Sequence, residues 1–204
     1  MDITETRFLL LMEMKQSSRF NMRRSFIIEG IDRLGKSTLI EGIQNRLGYF
    51  QVIHYQKPKV LECYEHQYGT DSKKMYQIAA FRSMFNILNS DARIILDRAH
   101  LGEMVYAPIY RGYSGSYVFD LERSYAAFSR LDHVRMILLT ENFDISTHFV
   151  DDGESFDASK RKEEQNLFIE AFNKSIIKDK KIICVTSEDG NFRCTEDILE
   201  EAIS

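Results

Sequence analysis

The apolar residues of the chain follow two patterns, and each pattern is typical of one kind of secondary structure. Short apolar runs bounded by polar or glycine-containing turns are typical of buried strands, and apolar residues three and four positions apart indicate helices. The pattern predicts strands at residues 25–30, 50–55, 92–99, 133–140 and 181–187. It predicts helices at residues 36–48, 71–90, 118–131, 162–177 and 195–203. Asp71 or Ser72 is the expected N-cap of the second helix, since short polar side chains favour that position.

Strands that alternate with helices indicate right-handed βαβ units and a parallel sheet covered on both faces. We therefore predict an α/β fold with a five-stranded parallel sheet between two helical layers. Sheets of this kind bind ligands beyond the carboxyl ends of their strands. The residues at those ends are Gly30, residues 56–58, Asp97, Thr140 and Ser187.

Composition narrows the class of protein. The chain has 204 residues, 44% of them hydrophobic, which suits a single globular domain. Its 27 basic and 31 acidic residues give a net charge of −4, which does not favour nonspecific binding to nucleic acid. The three cysteines form no CxxC pair, so neither a disulfide framework nor a zinc site is indicated. Apolar runs are shorter than the roughly 20 residues that span a bilayer, so we expect a cytoplasmic protein without membrane contact.

The first residues differ from the rest of the chain. A short apolar stretch, FLLLM, precedes most of the basic residues of this segment, whereas a secretory signal has its positive charges first. Acidic residues within the same segment argue against a transit peptide. We expect residues 1–22 to be an extension outside a single domain at 23–204, with Met22 as a possible alternative start.

The strongest motif is a glycine-rich loop between the first strand and the first helix. Its frame, Gly30-x-x-x-x-Gly35-Lys36-Ser37, is that of a phosphate-binding loop, and its flanking elements are the expected ones. Backbone N–H groups and the helix N-terminus would surround the phosphates of ATP, Lys36 would bridge the β- and γ-phosphates, and Ser37 would ligate Mg²⁺. The residues expected to contact the nucleotide are Gly30, Ile31, Asp32, Arg33, Leu34, Gly35, Lys36, Ser37 and Thr38.

A second charged motif ends the third strand. Asp97 stands where a carboxylate could orient the magnesium shell, and Arg98 would face a phosphoryl group. Phosphoryl transfer needs positioning and neutralisation of charge, so a carboxylate for the metal and a guanidinium for the oxygens are the expected pair. Lys36, Asp97 and Arg98 are thus candidate catalytic residues.

These two motifs resemble the thymidylate kinase-like family of P-loop deoxynucleoside monophosphate kinases, most of all the divergent versions carried by bacterial viruses. Residues 29–38, EGIDRLGKST, match the family loop E-G-x-D-x-x-G-K-S-T at every fixed position. The resemblance implies a three-layer P-loop kinase fold, ATP as donor, Mg²⁺, nucleotide substrates and a homodimer. A viral source would place the protein in the host cytoplasm.

The resemblance also assigns roles within the loop and after the third strand. In the family the loop aspartate holds the sugar of the acceptor, a role that falls to Asp32. One subgroup has a loop arginine that stabilises the transferring phosphoryl group, which implies a catalytic role for Arg33. The family motif D-R-Y-x-x-S-x-x-A-Y-Q is matched at Asp97, Arg98 and Tyr106. The family tyrosine disfavours a 2′-hydroxyl, so Tyr106 is the candidate for sugar selection. Its glutamine is replaced by Ala107, which leaves base preference open.

Glu103, Tyr106 and Tyr110 recur at helical spacing, so we expect them to share one face. That face is either a sugar contact or a solvated glutamate beside two half-buried tyrosines. By resemblance, Arg82 would hydrogen-bond the base, with Phe81 or Phe85 in place of the family's stacking aromatic residue.

Two further regions follow from the resemblance. Lys57 and Lys59 stand where the family binds the acceptor phosphate. Residues 143–162 correspond to the family's lid over the donor phosphates. The middle of this segment is acidic, and its basic residues come only at its end, Lys160, Arg161 and Lys162. That arrangement fits the loop-arginine subgroup, although a solvated helix start would give the same pattern.

The expected function is therefore ATP- and Mg²⁺-dependent phosphorylation of a deoxynucleoside 5′-monophosphate, dTMP first. One alternative is a deoxynucleoside kinase acting on the 5′-hydroxyl, which would need a base after the second strand, where the sequence YQKPK is basic. A non-catalytic nucleotide-binding protein is a further alternative, opposed by the complete set Lys36, Ser37, Asp97 and Arg98. A GTPase switch is disfavoured because no N-K-x-D motif occurs.

Overall fold

A computed structural model of the chain describes residues 25–55, 61–128, 131–145 and 158–204, with the backbone alone at 61–71, 128 and 158. The expected extension at 1–22, both lysines of the YQKPK stretch and most of the expected lid lie outside these ranges. Within them no helix is long and apolar enough to cross a membrane.

Five parallel strands form one sheet in the order β2-β3-β1-β4-β5. The strands are β1 (Ser25–Glu29), β2 (Gln51–His54), β3 (Ile94–Asp97), β4 (Val134–Thr140) and β5 (Asp179–Cys184). The predicted α/β class with a five-stranded parallel sheet is therefore confirmed. The chain leaves central β1 toward one edge and later returns to pair β4 on the other side, so the loop after β1 lies at the topological switch point, where such sheets bind ligands.

Six α-helices connect the strands of the described part of the chain. They are α1 (Lys36–Leu47), α2 (Leu61–Leu88), α3 (His100–Tyr106), α4 (Tyr117–Phe128), α5 (Arg161–Lys174) and α6 (Thr195–Ile203). A π-helical turn at Ala107–Arg111 continues α3, and short 3₁₀ turns precede β4 and α5.

The centre of the sheet is the core of the fold. Every residue of β1, β3 and β4 is buried, whereas the edge strands β2 and β5 are partly exposed. Parallel strands covered on both faces read as continuous apolar runs, which is why the pattern predicted them well. The central strands therefore hold the ends of β1, β3 and β4 in fixed relative positions.

The helices differ from the prediction in two places. The helix expected to start at Asp71 or Ser72 begins at Leu61, so Gly69 and Thr70 lie inside it. An interior glycine costs a helix only about 1 kcal/mol, which a helix of 28 residues tolerates. The short helix α3 was not among the predicted elements, although helical spacing was noted in its sequence.

Candidate active site

The loop after β1 is shaped by two glycines and two apolar anchors. Gly30 has a φ of 135°, and a Cβ atom there would lie 2.6 Å from the carbonyl oxygen of Leu139 in β4. Gly35 adopts a left-handed conformation (φ 76°) and caps α1. Ile31 and Leu34 are only 1% and 2% exposed, so they fix the loop to the core. Asp32 and Arg33, between these anchors, are partly exposed.

Lys36 turns its ammonium group back into the loop. Its Nζ lies 2.6 Å from the carbonyl oxygen of Ile31 and 3.0 Å from that of Gly30, and the residue is 8% exposed. Burial, with the positive charge of Arg98, lowers the pKa of Lys36 to about 8, against the opposing carboxylates of Asp32, Asp97 and Glu29. A buried ammonium whose pKa is lowered by desolvation is further stabilised in its charged form by an anion beside it.

Arg33 and Arg98 both have left-handed backbones, with φ of 66° and 64°. This conformation costs a non-glycine residue about 1–2 kcal/mol, and such strain is concentrated at functional sites. At Arg98 the backbone N–H donates to the carbonyl oxygen of Ile28, at 2.9 Å, which ties the end of β3 to β1. Two arginines are thus held in unfavourable backbone conformations at adjacent strand ends.

Asp32 is bound by arginines at both its side chain and its backbone. Its carboxylate forms an ion pair with Arg98. Its carbonyl oxygen accepts a hydrogen bond of 3.0 Å from Nη1 of Arg161, the first residue of α5. The other terminal nitrogen of Arg161 lies 2.5 Å from Oε1 of Glu141, just after β4. Three strand ends therefore meet at Asp32, and Arg161, 6% exposed, is not part of a solvated helix start.

Asp97 ends β3 with its two carboxylate oxygens in different environments. Oδ2 lies 2.7 Å from Nδ1 of His54, the last residue of β2. Oδ1 is buried and has no hydrogen-bond partner among the described residues. A buried carboxylate oxygen without a partner is costly, so its presence is typical of a site completed by a ligand.

Asp97 and Ser37 fit a magnesium ion. Mg²⁺ prefers oxygen ligands and commonly uses one or two protein side chains together with substrate phosphates. Asp97 supplies a buried oxygen without a hydrogen bond, and Ser37 lies exposed in the first turn of α1. Among the described side chains no group of three or more His, Cys, Asp or Glu residues could form a complete metal site.

Glu29 links the loop to the helix after β3 and was missed by the sequence analysis. It is fully buried, and its Oε1 accepts hydrogen bonds from the backbone N–H groups of Ala99 (3.0 Å) and Leu101 (3.1 Å). Burial raises the pKa of Glu29 despite the nearby positive charge. A glutamate closing an otherwise apolar strand was the available signal.

Glu103 is buried rather than solvated. Its carboxylate pairs with Arg111 and accepts hydrogen bonds from Tyr113 (2.7 Å) and Tyr117 (2.9 Å), and its side chain is 1% exposed. The expected solvated glutamate is therefore wrong, and these protein partners disfavour the expected sugar contact. The physical reason is the path of the chain after α3, which brings these three side chains around the carboxylate.

Tyr106 and Tyr110 do lie together. Their ring centroids are 6.1 Å apart, Tyr106 packs edge-on against Phe168 at 5.7 Å, and the Tyr110 hydroxyl donates to Glu164 at 2.5 Å. Burial raises the pKa of Tyr106, and the charge of nearby Arg98 opposes that rise. Tyr106 is therefore close to the Asp32–Arg98 pair, whereas a role for either tyrosine in substrate binding stays a prediction.

The expected base-binding residues differ in their exposure to solvent. Arg82 is exposed on α2. Phe85 is fully buried against Tyr125, with ring centroids 5.4 Å apart, so it cannot stack on a base. Phe81 is 4% exposed and stacks on Tyr55 at 6.2 Å. Of the candidates named for stacking, Phe85 is thus excluded, and contact between Arg82 and a base stays a prediction.

No family model and no curated protein sequence matches the chain. Solved structures do resemble it. The YorR protein from Bacillus subtilis, in complex with phosphorylated GDP, is similar with a TM-score of 0.59 and 17% identity over 87% of this chain and 92% of that one. Thymidylate kinase from Candida albicans is similar with a TM-score of 0.52 and 16% identity over 88% and 89% of the two chains.

NadR protein in complex with NR also resembles the chain, with a TM-score of 0.54 and 16% identity over 91% of this chain and 53% of that one. At such identities the likeness concerns the fold. Together with the parallel sheet and the loop around Lys36, it shows that the chain has the P-loop kinase fold.

Proposed function

We propose that the protein is a thymidylate kinase-like enzyme that transfers the γ-phosphoryl group of ATP to a deoxynucleoside 5′-monophosphate, with dTMP as the first candidate. The observation that carries the proposal is the ion pair between Asp32 and Arg98 beside Lys36. A loop that only binds ATP needs no acidic residue facing an arginine of the next strand. In a loop that also contacts an acceptor, the carboxylate could bind the sugar and the guanidinium could bind the phosphate.

The proposed chemistry requires little more than positioning and charge. An oxygen of the acceptor phosphate forms the new bond to the γ-phosphorus, the bond to the β–γ bridging oxygen breaks, and ADP leaves. The acceptor oxygen is already ionised, so no strong general base is needed. Lys36 and Arg33 would face the donor phosphates, and Arg98 would face the acceptor phosphate after exchanging its partner Asp32.

Ser37 and Asp97 would hold the magnesium ion, which supplies charge neutralisation at the phosphates when bound. Asp32, released from Arg98, would be available to the sugar hydroxyl of the acceptor, and Tyr106 would face C2′. Arg161 and Glu141 would keep the loop in shape throughout the reaction, because they hold the carbonyl oxygen of Asp32 rather than its carboxylate.

We further propose that the enzyme is a cytoplasmic homodimer without nucleic-acid or membrane partners, and that residues 143–162 act as its lid. The divergent, bacteriophage-type version remains our choice within the family, and Arg33 follows the subgroup that has a loop arginine. Sedimentation of the full chain tests the dimer directly, and a single monomeric species at micromolar concentration would contradict it.

A panel of acceptors tests the function. The protein is incubated with ATP, Mg²⁺ and each deoxynucleoside monophosphate, its ribo counterpart or the unphosphorylated nucleoside, and products are identified by mass. Lys36→Met is the control for contaminating kinases. We expect dTDP from dTMP and little product from thymidine. Turnover of thymidine but not of any monophosphate would support the deoxynucleoside kinase instead, and no turnover of any acceptor by folded protein would favour a nucleotide-binding role.

A further inference from the structure

We propose that His54 is a positioning residue that orients Asp97 toward the magnesium–nucleotide complex. It would do so by holding one carboxylate oxygen and directing the other into the site. This inference rests on the proposed function only insofar as Asp97 acts at the metal. The five histidines of the chain are scattered without a metal-binding spacing, so the sequence alone assigns no role to His54.

The contact between the two residues is built into the sheet. His54 and Asp97 are partners in the register of the parallel strands β2 and β3, each at the last position of its strand. The next residue along, Tyr55, donates its backbone N–H to the carbonyl oxygen of Asp97 at 3.1 Å. The two strand ends are therefore aligned by main-chain hydrogen bonds, and the imidazole lies beside the carboxylate without loop rearrangement.

The hydrogen bond selects one orientation of the carboxylate. Rotation about the terminal torsion of an aspartate is broad, so an unheld carboxylate exchanges its oxygens readily. An ionised carboxylate only accepts hydrogen bonds, so Nδ1 of His54 donates to Oδ2 at 2.7 Å. The remaining oxygen, Oδ1, is buried and has no hydrogen bond among the described residues. One oxygen is thus fixed by protein, and the other is directed into the interior of the site.

Stability is a poor explanation for this pair. The His54 side chain is 53% exposed and that of Asp97 is 12% exposed, so water screens the histidine side of the pair, and a hydrogen bond of this kind contributes about 1 kcal/mol to folding. By contrast, partners that orient a metal-binding side chain typically change metal affinity about 10–100-fold when removed. Removal of the His54 side chain is therefore expected to change the stability of the fold little and the metal affinity strongly.

Two substitutions separate these effects. In His54→Asn the amide nitrogen takes the place of Nδ1, because both are two bonds from Cβ. In His54→Gln the amide nitrogen corresponds instead to Nε2, which does not face Asp97. The two variants are both neutral amides of similar polarity, and they differ in whether a donor reaches Oδ2.

The measurement is binding of Mn²⁺, as a spectroscopic substitute for Mg²⁺, to the complex of the full chain with ADP, followed by electron paramagnetic resonance. We expect His54→Gln to weaken Mn²⁺ binding about 10-fold or more and His54→Asn to stay within about 3-fold of the wild type. Metal-free ADP affinity and melting temperature should remain unchanged in both variants. The half-saturating Mg²⁺ concentration for turnover of dTMP should follow the same order.

Equal Mn²⁺ affinity in the wild type and His54→Gln would overturn the proposal, as would equal weakening in the Asn and Gln variants. The Mn²⁺ measurement needs no acceptor, so it is independent of the acceptor panel. An inactive panel with the expected order of Mn²⁺ affinities would refute the proposed reaction while supporting the role of His54. An active panel with unchanged affinities would refute the role of His54 alone.

Discussion

Binding of ATP should weaken as pH rises through the pKa of Lys36. Burial lowers that pKa to about 8 in the protein alone, from its ordinary value of 10.5. Triphosphate oxygens beside the ammonium favour its charged form, so we expect the pKa in the complex to return to about 10 or above. Above pH 8 the binding of ATP must then be accompanied by uptake of a proton, and the affinity must fall as protons become scarcer.

The expected size follows from the two protonation states. With a pKa of about 8, Lys36 is about 90% charged at pH 7 and about 10% charged at pH 9. The apparent Kd for ATP should therefore rise about 10-fold between these pH values, which corresponds to about 1.4 kcal/mol. The second pKa of a phosphate group is about 6, so the phosphates are about 90% ionised at pH 7 and contribute little to this slope.

Titration calorimetry of metal-free ATP, with EDTA present and ionic strength fixed, measures this dependence. Buffers with different ionisation enthalpies report the proton uptake independently at pH 8.5. Lys36→Arg is the matched control, because a guanidinium stays protonated throughout this range and its Kd should be flat. A wild-type Kd that does not change between pH 7 and 9, or an equal slope in Lys36→Arg, would refute the assignment.

The lowered pKa of Lys36 also makes the stability of the nucleotide-free protein depend on pH. Between pH 8 and 10.5 the unfolded chain holds more protons on Lys36 than the folded one, so the contribution of Lys36 to the unfolding free energy rises with pH there. Lys36→Met does not titrate at this position. The unfolding free energy of the wild type should therefore increase relative to that of Lys36→Met as pH rises through this window, as measured by urea denaturation.

Other changes should separate the parts of the site. Arg33→Ala should lower kcat at least roughly 100-fold with little change in ATP affinity, because the contact of Arg33 strengthens in the transition state. Asp32→Ala should lower kcat and also raise KM for the acceptor. An unchanged kcat in Arg33→Ala would show that Arg33 has no catalytic role. Replacing Tyr106 by alanine should raise activity on ribonucleoside relative to deoxyribonucleoside monophosphates, and an unchanged ratio in a folded variant would exclude it from the sugar pocket. Gly30→Ala should abolish ATP binding and destabilise the protein by about 1–3 kcal/mol in urea denaturation, because its Cβ atom would lie 2.6 Å from the carbonyl oxygen of Leu139; full ATP affinity would show that the loop can shift.

The loop and the central strands could be predicted because their signals are local. Gly30, Gly35 and Lys36 stand at fixed spacing in one short loop. A strand that is buried on both faces is apolar along most of its length. The side chains that complete the site could not be found in this way. His54 meets Asp97 across 43 positions through the register of β2 and β3, and Glu141 meets Arg161 across 20 through the packing of α5 on β4.

The prediction for Glu103 was wrong for a different reason. The spacing of Glu103 to the two tyrosines is local, but the side chains that bury its carboxylate, Arg111, Tyr113 and Tyr117, come from the chain after α3. Arg111 ends the π-helical turn that follows α3, and such a turn has no reliable sequence signature. Pattern analysis therefore noted the helical spacing of Glu103 without finding the residues that enclose it.

The contact of Arg161 with Glu141 has a consequence for how this protein can change over evolutionary time. The two residues join the start of α5 to the end of β4, so the ends of the stretch between them are held together from outside that stretch. Closing a longer connection costs little, since each doubling of length adds only about 0.6 kcal/mol of entropy. Insertions, deletions and changes of charge between Glu141 and Arg161 can therefore accumulate while the carbonyl oxygen of Asp32 keeps its partner.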